Sequence, residues 1–97
     1  MSYTAKGQIY KIGEVKEYGN FRQIEFVLSI PFEHNGQTKY NYVTFKSGGN
    51  TIDYVQKFKQ GDMVEVSFGL NGNKYMSRRT NQEEFINTLN CYNIKRA

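Results

Sequence analysis

Apolar and polar positions alternate along most of this chain, and a period of two predicts strands rather than helices. The clearest run is FRQIEFVLSI, with Ile24, Phe26, Leu28 and Ile30 in one phase and Phe21, Gln23, Glu25 and Ser29 in the other. Pro31, the only proline, is expected to close that strand. YNYVTFK at 40–46 is a second strand, with Val43 and Phe45 facing inward. Between the two lies EHNGQ, whose Asn-Gly pair is a hairpin signal. Upstream, KGQIYKIGEV alternates imperfectly: Ile9, Ile12 and Val15 slip phase near Gly13. A slip beside a glycine predicts a β-bulge or a barrel corner.

After the SGGN break at 47–50, TIDYVQKF predicts a short helix over 51–58. Thr51 would be its N-cap, Asp53 lies in its first turn, and Ile52, Val55 and Phe58 form its apolar stripe. KQGD at 59–62 turns the chain into MVEVSFGL, which alternates Val64, Val66, Phe68 and Leu70 toward the interior. NGN at 71–73 reads as a turn, and KYMSRRTNQEE as a long polar hairpin tip. FINTLNCYNI is the last strand, of ambiguous phase: Leu89 and Cys91 point one way, Ile86, Tyr92 and Ile94 the other. Three strands, a short helix and two strands fit an all-β, five-stranded OB barrel occupying residues 1–97 as a single domain. In that fold the groove over strands 2 and 3, flanked by the 1–2 and 4–5 loops, is the usual oligonucleotide or oligosaccharide site.

Composition narrows what such a barrel can do. The chain has 97 residues, 38% hydrophobic and 15% aromatic, with eight Tyr and seven Phe, too aromatic for disorder and too polar for a membrane protein. No apolar run approaches a transmembrane helix, and MSYTAKGQ does not resemble a signal peptide, so a cytoplasmic location is the expectation. One Cys (Cys91) and one His (His34) exclude a disulfide framework and a Cys/His zinc site within one chain. The net charge of +4 is uneven: eight Lys/Arg oppose seven Asp/Glu over residues 1–70, but five oppose two over 71–97. That bias favours an anionic partner.

The chemistry sits on the outer phase of YNYVTFK, where Tyr40, Tyr42, Thr44 and Lys46 share one face. Exposed rings beside cations suit single-stranded nucleic acid, because bases stack on aromatics while Lys and Arg follow the phosphates. The alternative reading is that a loop or second subunit covers the rings. KYMSRR adds Lys74, Tyr75, Arg78 and Arg79 on the loop that flanks the groove, and Phe21 and Arg22 stand at the other flank. Glu83 and Glu84 are adjacent and so point apart, no nucleophile–base pair can be assembled, and SGGN lacks the Lys of a phosphate loop, so no enzyme activity, cofactor or small-molecule substrate is expected.

YNYVTFKSGG, followed by a short helix and KFKQGDMVEVSFGLNG, resembles the middle of bacterial and phage single-stranded-DNA-binding proteins. QIEFVLSI, GDMVEVSF and FINTLNCYNI look closest to small OB domains of this group from Bacteroidetes and their phages, a likeness spanning roughly residues 6–95. The resemblance implies that Tyr40 and Tyr42 stack on bases; Lys46 stands where a second stacking aromatic would fall. It also implies single-stranded DNA as partner and a role in DNA replication, repair or recombination. RNA binding, or a protein-docking OB module, remains open as the alternative. Since one OB groove covers only ~4–16 nucleotides, a homodimer or tetramer is expected, joined through a strand edge or the first-strand surface.

Overall fold

The computed structural model describes residues 2–97. Its elements are β1 (Tyr3–Ile12), β2 (Lys16–Tyr18), β3 (Phe21–His34), β4 (Gln37–Gly48), α1 (Thr51–Val55), β5 (Met63–Met76) and β6 (Glu83–Arg96). The sheet runs β1-β5-β6-β4-β3-β2, and β1 also pairs with β3, so the ring closes. β1 and β2 are two halves of one bent strand, which makes this the five-stranded OB barrel, with α1 between its third and fourth strands. No helix among the described residues is long and apolar enough to cross a membrane.

Closure depends on β1 changing partners. Residues Tyr3–Gln8 pair with Phe68–Met63 of β5, and residues Gln8–Ile12 with Ser29–Phe26 of β3. The switch needs a bend, which comes from two irregularities. Tyr10 is bulged, since Ile9 pairs with Leu28 and Lys11 already with Val27. Then residues 13–15 leave the ladder before β2 resumes at Lys16, with Gly13 N–H still donating to Glu25 O at 2.8 Å. The bulge explains why Ile9 and Ile12 both turn inward although an extended strand would separate their faces.

The core is built from the phases read above: Ile24, Phe26 and Leu28 of β3, Phe45 of β4, Val64 and Val66 of β5, with Ile9, Cys91 and Ile94. Phe26 stacks on Phe45 at 5.5 Å, and Phe45 meets Phe68 edge-on at 5.1 Å. α1 closes one end by burying Ile52 and Val55 beside β4 and β6, which are joined only by the parallel pair Lys46–Asn90. Phe58 packs half-buried against the core from beyond the helix.

Several boundaries differ from expectation. The helix ends at Val55 and its N-cap is Asn50, not Thr51, with no side-chain capping bond. β3 runs through Pro31 to His34, because its pairing with β1 stops at Ser29 and an edge tolerates a missing N–H. Asn35 and Gly36 both have positive φ, 52° and 77°, as the two-residue hairpin turn requires. NGN is not a turn: β5 continues to Met76, so Lys74 and Tyr75 lie in strand, paired with Phe85 and Glu84. The ambiguous phase of the last strand is a bulge. Ser67 pairs with Asn93 but Phe68 with Cys91, leaving Tyr92 extra, so Cys91 and Ile94 both face the core.

Two ribbons extend past the barrel. One is the end of β3 with the start of β4, beyond the last β1 contact; the other is β5 from Leu70 with β6 up to Leu89. Leu70, expected inside, is 58% exposed because its strand has already left the barrel.

Candidate nucleic-acid interface

The outer face of β3 and β4 forms a shallow groove. One cleft of about 220 Å³ is lined by Lys11, Lys16, Gln23, Glu25, Val27 and Thr44, among others. A second, of about 650 Å³, runs from Thr44 and Lys46 to Leu70, Gly72, Asn87 and Leu89 of the β5–β6 ribbon. Thr44 borders both, so they form one trough across β4 toward that ribbon. Its position, over the second and third barrel strands between the flanking loops, is where OB folds hold oligonucleotides or oligosaccharides.

Register places each expected residue. Tyr40 and Tyr42 share the face of Thr44 and Lys46 and are 53% and 58% exposed. Tyr42 is not isolated: the bulged Tyr10 meets it edge-on at 4.9 Å, which props both rings outward. Lys46 is half-buried and lies 3.8 Å from Glu25 directly across the ladder. Phe21 lies at the end of β3 on the groove phase, its ring folded over Gly48, where a Cβ would come within 3.1 Å of it. Arg22 is in the opposite phase, that of Ile24, and the structure does not bring it to the groove.

On the ribbon, paired residues share a face. Lys74 therefore joins Phe85, Leu70 and Leu89 on the face leading into the trough, whereas Tyr75 lies on the reverse beside Glu84. Tyr75 donates its O–H to Glu84, and that bond, with slight desolvation, holds the phenol above its usual pKa. Arg78 and Arg79 sit in the tip at 77–82, where Ser77 Oγ accepts from the amides of Arg79 and Thr80. At ~3.3 Å per residue the tip is roughly 15 Å along the ribbon from the trough. The cations expected to line one path thus fall into two groups, Lys46 and Lys74 on the trough side and Arg78 and Arg79 at the ribbon's end.

Sequence reasoning passed over several residues. Lys11 and Lys16 look like solvated strand cations, yet both line the trough. Phe85, 69% exposed, belongs to a last strand of ambiguous phase in the sequence, and only its pairing with Lys74 across the ribbon puts it on the trough side. Tyr10 could have been found from the phase slip between Ile9 and Ile12. Among the described residues no group of His, Cys, Asp or Glu is placed to hold a metal ion. Burial pushes the Cys91 thiol up to about 11, so it is a neutral core group rather than a nucleophile.

Barrel and trough together define an OB-fold domain. The chain belongs to the family described as Domain of unknown function (DUF3127), which matches residues 4–95. Among solved structures it is similar to the mitochondrial single-stranded DNA binding protein Rim1 of S. cerevisiae. That similarity has TM-score 0.70 and 16% identity, over 99% of this chain and 93% of Rim1. It is also similar to the dimeric N-terminal domain of PriB from Thermoanaerobacter tencongensis, with TM-score 0.66 and 16% identity, over 99% and 94% of the two chains. At these identities the likeness is one of fold. No protein of curated function matches the chain in sequence.

Proposed function

We propose that this domain binds single-stranded DNA with little sequence preference, in replication, repair or recombination. The observation that carries the reading is the outer face of β4, where exposed Tyr40 and Tyr42, the latter braced by Tyr10, share a face with Lys46 and with Thr44, the residue that borders both clefts. Rings exposed to solvent leave apolar surface that a stacked base can cover, and base stacking supplies ~1–3 kcal/mol per base. Tyr40 and Tyr42 are the platforms; Lys46 and Lys74 follow the phosphates; Arg78 and Arg79 extend the contact at the ribbon's end; Phe21 closes the other end, while Arg22 and Tyr75, turned to the opposite faces, take no part. The fold shared with Rim1 supports the reading. Assembly into a homodimer or tetramer is part of it, supported by the dimeric PriB domain and by the edge of β1 at residues 4–6, on whose far side no strand pairs among the described residues.

A second reading has one observation in its favour: Leu70, Met76 and Phe85 lie exposed on one face of the β5–β6 ribbon, as a protein-docking surface would. Binding of labelled oligo-dT, by anisotropy across a salt series, separates the two. Tyr40→Ala should cost ~1–3 kcal/mol with little change in salt slope, since stacking releases no counterions. Tyr42→Ala should cost at least as much, because it also unprops Tyr10. If both folded variants bind like the parent, stacking is wrong and the aromatic face belongs to a protein partner.

A further inference from the structure

The groove does not end at β1. Lys11 lines the first cleft and also a third, of about 470 Å³, formed with Tyr10, Ile12, Phe58, Lys59 and Gln60 on the far side of that strand. Tyr10 therefore stands at a crest, its ring edge-on to Tyr42 on one side and bordering this cleft on the other. Arg96, not itself a lining residue of this cleft, places its guanidinium over the Phe58 ring at 5.8 Å. A guanidinium fixed over a ring keeps its N–H edges available for a phosphate. Asp62 Oδ2 accepts the amide of Lys59 at 3.0 Å within the 59–62 turn. The charged side chains lining the cleft, Lys11 and Lys59, are both cationic, and neither has an ion-pair partner among the described residues.

We infer that this third cleft is a second subsite for the same single strand, which crosses β1 over Tyr10 and is held at its backbone by Lys11, Lys59 and Arg96. The inference rests on the single-strand reading of the groove and adds to it a path around the barrel. The strand occupying the groove can reach the cleft without leaving the protein, because Lys11 contacts both. Phe58 and Tyr10 supply the apolar walls between which a base can rest, and the cations supply the phosphate contacts. A plain solvated edge would not need a guanidinium held over the Phe58 ring.

The test compares two oligo-dT lengths, about 6 nucleotides, near the short end of one OB site, and about 30. The Lys59→Ala/Arg96→Ala variant should bind the 6-mer within about 2-fold of the parent. It should lose affinity for the 30-mer, with a salt slope lower by about 1.4, because each single-strand phosphate contact contributes about 0.7. That slope corresponds to about 5-fold per contact at 0.1 M salt, hence about 25-fold for two. Lys59→Ala alone should give about half the slope change. Lys6→Ala/Lys95→Ala, which removes equal charge from around Glu65 on the outer face of β1, β5 and β6, is the control and should change the 30-mer slope little. Equal losses in variant and control, or none in either, would overturn the second subsite while leaving the groove intact. A variant that binds the 30-mer normally but changes mass in light scattering would assign the cleft to contact between copies, and the inference falls. A parent that binds neither length removes the single-strand reading, and this inference with it.

Discussion

Gly7→Ala tests the closure of the barrel. Gly7 is buried where β1 passes from β5 to β3, and a Cβ there would lie 2.7 Å from the Ser29 carbonyl oxygen and 3.0 Å from Ile30 Cγ1. Carbon–oxygen contacts normally sit at about 3.3–3.6 Å, so the seam must open by more than half an ångström. The obstacle is backbone, held by the β3–β4 ladder through the Ser29–Tyr42 pair, and cannot swing aside. Overpacking of this kind costs ~1–3 kcal/mol, here at the upper end. In a domain of this size that lowers Tm by roughly 5–20 °C, read by circular dichroism melts and urea titration. Gly69→Ala is the matched comparison. Its Cβ would meet the Tyr92 ring, at 2.8 Å from Cε2 and 2.9 Å from Cζ, but that ring is exposed and free to rotate away. It should cost under ~1 kcal/mol, partly offset by the stiffer unfolded chain. If Gly7→Ala is as stable as Gly69→Ala, the account of closure is wrong; a chain that fails to fold lies on the expected side.

Two other substitutions follow. Glu25→Gln removes the carboxylate that holds Lys46 at 3.8 Å; since an exposed pair is worth at most ~1 kcal/mol, oligo-dT affinity at low salt should rise by up to about 5-fold, and no change would mean Lys46 is not in the path. For Cys91, burial raises the folded pKa from 9.0 to about 11, so the native state holds its proton longer than the unfolded chain and stability falls as pH climbs through that window. The loss, on the order of 2–3 kcal/mol by pH 11, should be absent in Cys91→Ala when the two chains' urea midpoints are compared, and equal pH dependence would refute it.

The barrel was legible because its strands carry strong local signals: the Ile24–Phe26–Leu28 phase, the Asn-Gly hairpin, the Gly-Asp turn into Val64 and Val66. What failed has a common physical cause. Alternation reports which face a side chain takes, and not whether anything covers that face. Leu70 continues the phase of Val66 and Phe68 yet lies past the rim of the barrel. The same limit extended the polar tip back to Lys74, which is in strand. The phase slips at Ile9–Ile12 and Cys91–Ile94 were visible as irregularities, but a bulge is defined by its partner strand. Of the site, Tyr40, Tyr42 and Lys46 could be read from one strand. The contact of Tyr10 with Tyr42, and the pairing of Lys46 with Glu25, join separate strands and have no local signature.

The two ribbons have a consequence for how this architecture can vary. Beyond Leu70 and Leu89 the β5–β6 ribbon pairs with no third strand among the described residues, so its length is not set by the barrel's ladders. Side chains alternate with a period of two, so one residue added to each strand would turn Phe85 and Lys74 to the reverse face. Two added to each would preserve the facing and lengthen the ribbon by ~7 Å. The reach of this domain over a ligand is therefore adjustable in discrete steps of about that size, with the barrel left unaltered.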